Sequence, residues 1–201
     1  MIIKNVQVYT EEQKFVPGEI VVRGDRIAEV HTAVEKETTG AECLEKKVSE
    51  NECPEDEEIV VDGEGAYAIP GLIDLHFHGC VGADVCDGTP EALKKIAQYE
   101  ASIGVTAIAP ATMTLPVEEL EQILRNAAAY KKTQKTGGFE ADLLGLNMEG
   151  PFISPVKKGA QDEKNIVPCN VEIAKRFLKA SEGLVKFIGI APEESSEAVA
   201  F

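Results

Sequence analysis

The chain has 201 residues, 44% of them hydrophobic and 27% charged, enough apolar mass to pack a core in one or two domains. Its formal net charge of -15 and pI near 4.6 argue against nucleic acid or an anionic membrane surface as the main partner, since both would repel it. No run approaches the roughly 18 apolar residues of a membrane span, the start MIIKNVQVYT lacks the build of a signal peptide, and a cytoplasmic location is expected. The five cysteines, Cys43, Cys53, Cys80, Cys86 and Cys169, are odd in number and lack zinc-ribbon spacing, which fits reduced thiols rather than a disulfide framework.

In chain order, IIKNVQVYT, GEIVVRG, DRIAEV and EEIVVDGEGAYAI read as short strands, with a Gly24-Asp25 turn between the second and third. They predict a small antiparallel β module over residues 1–69. Residues 31–58 interrupt it with ten acidic and three basic residues, a net of -7, and no apolar period, which predicts a solvated surface insertion holding His31.

From residue 70 the chain alternates strand and helix. Residues 71–78 read as an apolar strand, and Thr89-Pro90 opens a helix with Leu93, Ile96 and Ala97 on one face, stopped at Gly104. VTAIAPATM (105–113) is a second strand, followed by a helix with Val117, Leu120, Ile123, Leu124 and Ala127 in register. DLLGLNME (142–149) is a third strand. Asn170 caps a third helix that stops at Gly183, and LVKFIGIAPE is a fourth strand. Apolar strands separated by amphipathic helices predict a parallel sheet covered by helices. A (β/α)8 barrel takes about 250 residues, so residues 70–201 hold half a barrel or a small open sheet.

Three polar residues mark a site. On a strand, residues two apart share a face, so Asp74, His76 and His78 are expected to project together at a strand end, with Leu75 and Phe77 opposite. Two converging imidazoles are a ready pair of metal ligands. Glu149, closing the third strand in NMEGPF, would be costly to desolvate there without a cation or hydrogen bonds. His76, His78 and Glu149 lie at carboxyl ends of strands, the rim where barrel enzymes place their chemistry.

PGLIDLHFHG, GVTAIAPATMT, LNMEGPFISPVKKGAQDEKNI and KFIGIAPE, after the GEIVVRGDRIAEV hairpin, resemble the amidohydrolase superfamily and, within it, the N-acetylglucosamine-6-phosphate deacetylase family. PGLID-x-H-x-H is common to many amidohydrolases, whereas MEGPF with the following KKGAQ is more specific. The resemblance implies an α/β fold, the first half, about four βα units, of a metal-dependent hydrolase TIM barrel over residues 70–201, preceded by a small β-sandwich-type module over 1–69. It implies Glu149 as the main carboxylate ligand, and His76 and His78 as the pair that binds a second metal in some members. One or two divalent ions, zinc or iron-like, are implied as cofactor. Gln161 falls where the family has His or Gln beside the sugar hydroxyls, and the substrate would be an amino sugar phosphate.

Cys80, just after His78, matches the family pattern as a loop residue near the site, and Lys157 and Lys158 as a solvated pair or a stabiliser of the turn. The family's general acid is an aspartate at the end of strand eight, expected beyond residue 201, with two more histidine ligands from strands five and six. The chain therefore reads as an amino-terminal fragment, inactive alone and a homodimer when full length. Two other classes stay open: an amidohydrolase acting on a cyclic amide, and a non-catalytic half-barrel that pairs with a partner chain.

Overall fold

The computed structural model describes residues 1–32, 59–135, 137–196 and 198, which fall into two compact units, Met1–Pro70 and Gly71–Phe201. Most of the acidic segment 31–58 thus lies outside the described residues.

The first unit is a five-stranded sheet of β1 (Ile2–Tyr9), β2 (Phe15–Arg23), β3 (Arg26–Thr32), β4 (Val60–Asp62) and β5 (Tyr67–Ala68). Alternation along β1 buries Val6 and Val8 and leaves their neighbours more exposed, the period-2 pattern of a half-buried strand. The turn at Gly24-Asp25 places Gly24 at φ +60 and closes the β2–β3 hairpin. The antiparallel expectation holds for β1, β2 and β3, but β4 and β5 pair with β1 in parallel. His31, read as part of the acidic segment, is instead on β3, with Nε2 3.0 Å from Glu29 Oε2. Its opposite number across the ladder is Glu19, so pairing with β2 carries the strand past the point where charge density had suggested a boundary.

The second unit is a mixed α/β body. Its strands are β6 (Leu72–Asp74), β7 (Gly79–Cys80), β8 (Ala83–Asp84), β9 (Val105–Ile108), β10 (Ala111–Thr112), β11 (Asp142–Leu143), β12 (Leu146–Met148) and β13 (Val185–Ile188). Its helices are α1 (Pro90–Ser102), α2 (Val117–Thr133) and α3 (Val171–Ala180). β6, β9 and β11 pair in parallel, as do β10, β12 and β13, while β7 and β8 form a small hairpin.

The helices start where their caps place them. Thr89 Oγ1 accepts from Ala92 N at 3.2 Å, and Asn170 Oδ1 accepts from Ile173 N at 3.0 Å, each satisfying a donor that the helix cannot. Leu93 and Ile96 of α1, Leu120 and Leu124 of α2 and Phe177 of α3 pack with Ile108, Leu143, Leu146 and Met148 of the strands in one core cluster. Each such side chain contributes about 1.5–3 kcal/mol by burial.

Three strands are shorter than the apolar runs suggest. The run 71–78 pairs as a strand only to Asp74, whose Oδ1 accepts the amide of His76 at 3.0 Å, so that N–H leaves the ladder. The run 105–113 breaks between β9 and β10 at Pro110, which has no N–H to give. The run 142–149 breaks at Leu144-Gly145. Backbone bonds still bridge the gaps: Ala109 N donates to Asp74 O at 2.8 Å and Asn147 N to Pro110 O at 3.0 Å. Nor is the first run buried: Leu72 and Ile73 are 53% and 58% exposed, and Phe187 and Ile190 at the opposite side of the strand order are exposed as well.

Thr112 Oγ1, fully buried, has no hydrogen-bond partner among the described residues. Replacing Thr112 by Val keeps the shape and removes an unmade bond. The change should raise stability by about 1 kcal/mol, seen as a higher urea midpoint with unchanged slope.

Candidate metal centre

The segment after β6 is held by its neighbours rather than by a continuous ladder. Phe77 O accepts from Ala111 N at 2.6 Å, His78 O from Val85 N at 3.0 Å, and Leu75 O from the Asn147 side-chain amide at 2.9 Å. Phe77 packs on the core while His76 and His78, at alternate positions, turn toward each other with ring centroids 5.6 Å apart. Asp74, expected to point with them, is used locally on the His76 amide and does not join the site.

Glu149 comes from the turn after β12. Two contacts fix that turn: Thr114 Oγ1 donates to Glu149 O at 2.9 Å, and Phe152, fully buried, packs on Phe177 of α3 with centroids 6.2 Å apart. Gly150 between them has φ +102, and a Cβ there would lie 2.0 Å from Thr114 Oγ1. Only glycine fits.

The result is one carboxylate oxygen shared by two imidazoles. His76 Nε2 lies 3.1 Å and His78 Nε2 3.2 Å from Glu149 Oε2. These three are the metal-capable cluster found among the described residues. Ligand atoms about 2.0–2.1 Å from a tetrahedral ion stand roughly 3.3 Å apart, so this spacing suits a zinc-like ion with little movement. His76 is 54% exposed and the other two side chains 34%, which leaves a path for an ion and for water.

The other ring nitrogens show how each imidazole is prepared. His78 Nδ1 is 3.0 Å from the carbonyl of Ala111; a carbonyl only accepts, so Nδ1 carries the proton and Nε2 presents its lone pair. His76 Nδ1 is 3.2 Å from Asn147 Nδ2, whose amide also donates to Leu75 O. In that arrangement Nδ1 accepts from the Asn147 amide and Nε2 donates to Glu149 Oε2. The donor set fits a divalent cation: two neutral imidazoles and one carboxylate.

Gln161, expected beside the sugar hydroxyls, is set against Glu149. It is 2% exposed, its Oε1 accepts from Thr114 N at 2.6 Å, and its Nε2 donates to Glu149 Oε1 at 2.9 Å. Lys158 Nζ donates to Gln161 O at 3.0 Å and stabilises the turn, while Lys157 is exposed. Cys80 stands outside the cluster, and burial first, then the nearby Glu100 carboxylate, pushes its thiol up to about 11. The thiolate that would ligate a metal is therefore scarce at neutral pH. Sequence reasoning missed Thr114 and Asn147, although a lone asparagine inside the apolar run LLGLNM was a visible signal.

No protein-family model matches the chain. An N-acetylglucosamine-6-phosphate deacetylase of Bacillus subtilis (strain 168) is 30% identical over 194 residues, 96% of this chain and 45% of the relative. An N-acetylgalactosamine-6-phosphate deacetylase of Escherichia coli O157:H7 is 30% identical over 135 residues, 67% of this chain and 35% of the relative. The crystal structure of N-acetylglucosamine-6-phosphate deacetylase from Pasteurella multocida matches with a TM-score of 0.74 at 26% identity, covering 97% of this chain and 45% of that one. The chain thus spans less than half the length of these relatives, in their amino-terminal portion.

Two substitutions separate the carboxylate turn from the neighbouring thiol. Gly150→Ala should cost about 1–3 kcal/mol through backbone strain and displaced Thr114, and should weaken metal binding, measured by denaturation and by zinc titration. Cys80→Ser should leave the bound metal unchanged; loss of metal would make the thiol a ligand.

Proposed function

We propose that this chain, homologous to the N-acetylglucosamine-6-phosphate deacetylases over the part of their length that it covers, supplies the metal-holding portion of an active site that hydrolyses an acetamide. The substrate would be N-acetylglucosamine 6-phosphate, and the products glucosamine 6-phosphate and acetate. The observation that carries this reading is the meeting of His76 and His78 on one oxygen of Glu149.

The second unit is read as the first four βα units of a (β/α)8 barrel. Its support is the run of parallel strands in the order β6, β9 and β10, β11 and β12, β13, with α1, α2 and α3 between them in the chain. The residues 1–69 module and the barrel portion 70–201 are taken as separate domains. In this arrangement His76, His78 and Glu149 follow the carboxyl ends of β6 and β12, where barrel enzymes gather their reactive groups.

A divalent ion held by His76, His78 and Glu149 would supply an activated water near pH 7 and a Lewis acid for the acetamide oxygen. The chain's own residues do the placing. His78 presents its lone pair because Ala111 O holds the opposite proton, and Glu149 Oε2 faces both rings because Oε1 is engaged elsewhere. Water adds to the carbonyl carbon, the carbon–nitrogen bond breaks, and the leaving amine needs a proton. The resemblance assigns that acid to an aspartate in the part of the relatives that this chain does not cover. A homodimer is proposed for the whole protein, and the anionic substrate would need cationic groups there too, given the chain's net charge of -15. No helix among the described residues is long and apolar enough to cross a membrane.

The E. coli relative that acts on the galactosamine epimer favours a second substrate for the same chemistry, so both hexosamine phosphates belong in the assay. The chain should be tested alone and with the remaining carboxyl-terminal portion of the Bacillus relative supplied in trans. Acetate release should need both pieces and a divalent ion. Glu149→Gln should remove tightly held metal and nearly all hydrolysis, and His76→Ala with His78→Ala should lower metal content more than it lowers Tm. Unchanged metal content in these variants would overturn the site.

A further inference from the structure

We infer that Gln161 is a positioning residue that keeps Glu149 a one-oxygen ligand. The inference deepens the metal reading above and rests on it. A glutamate beside a cation can bind through one oxygen or two, and nothing in the side chain itself selects between them. Here the two oxygens have different neighbours: Oε2 faces His76 and His78, while Oε1 receives the Gln161 amide at 2.9 Å. A donor on Oε1 competes with the cation for that oxygen and leaves only Oε2 to bind. One-oxygen binding keeps positions open at the ion for water and for the substrate carbonyl, as a catalytic rather than a structural site requires.

Gln161 can do this because it is itself held at both ends. It is 2% exposed, and its Oε1 takes the backbone amide of Thr114 at 2.6 Å. Its Nε2 also points at Met113 Sδ, 3.6 Å away, a weak acceptor that competes little with the carboxylate. Thr114 is tied in turn: its hydroxyl donates to Glu149 O at 2.9 Å, and its carbonyl accepts from Asn165 Nδ2 at 3.2 Å. Thr114 thus grips the glutamate twice, directly at the backbone and through Gln161 at the carboxylate. Those two attachments fix both where Glu149 starts and which way its carboxylate faces.

The test is a Co2+ titration of the full 201-residue chain, followed by its visible d–d spectrum and by the infrared carboxylate stretches of the bound form. Gln161→Leu removes the donor. It should weaken Co2+ about 10- to 100-fold, the range for losing a partner of a metal ligand. It should also lower the d–d absorption as coordination number rises, and narrow the splitting between the two carboxylate stretches as the second oxygen binds. Gln161→Glu keeps an acceptor for Thr114 N but sets an oxygen against Glu149 Oε1, and it carries the test if the leucine variant fails to fold. It too should weaken Co2+ and alter the spectrum. Wild-type affinity, spectrum and splitting in a folded variant would overturn the positioning role while leaving the metal site intact. A wild-type chain that binds no Co2+ at all would instead overturn the metal reading.

Discussion

A single carboxylate oxygen, Glu149 Oε2, meets two imidazole nitrogens from a segment far back in the chain, His76 lying 73 residues before it. Such a meeting costs desolvation and side-chain entropy, and it persists only if the surrounding backbone leaves these groups few other directions. The rest of the second unit can be understood as the means of restricting them. Phe77, partly buried, packs on the core while its two histidine neighbours turn toward each other; Phe152, fully buried, anchors the turn that carries Glu149. Both anchors draw on the same core cluster, to which α1, α2 and α3 each contribute a face.

Strand interruptions are part of this arrangement. A regular ladder through residues 71–78 would commit the amides of the histidine segment to pairing along its whole length. Ending β6 at Asp74 releases them: His76 N goes to the Asp74 carboxylate, while the carbonyls of Leu75, Phe77 and His78 are each taken by a different neighbour. The segment stays extended enough for alternate residues to share a side, and acquires hydrogen bonds that also serve the site. Asn147 illustrates the economy, since one side-chain amide ties down the Leu75 carbonyl and reaches the His76 ring.

Local signals were strong where chemistry acts over short distances along the chain. The caps Thr89 and Asn170, the apolar faces of the three helices, and the His-x-His spacing all depend on neighbours within one or two turns, and all were legible. What sequence reading could not supply was partner identity across the fold. The resemblance set Gln161 beside the sugar hydroxyls, but no pattern along the chain showed that its amide bridges Glu149 Oε1 and Thr114 N. The pairing of β4 and β5 with β1 in parallel, and the exposure of Leu72 and Ile73, likewise depend on which surfaces end up facing one another.

The sequence by itself determined the three helices, where they start, and the three ligand candidates, because periodicity, capping and side-chain chemistry are properties of short segments. Only the tertiary structure decided that both histidines reach the same oxygen of Glu149 and that Asp74 does not join them. It also decided that the second oxygen is held by Gln161. Those outcomes turn on distances of about 3 Å between residues far apart in the chain, and such distances exist only once strands, helices and the turn at Gly150 have packed.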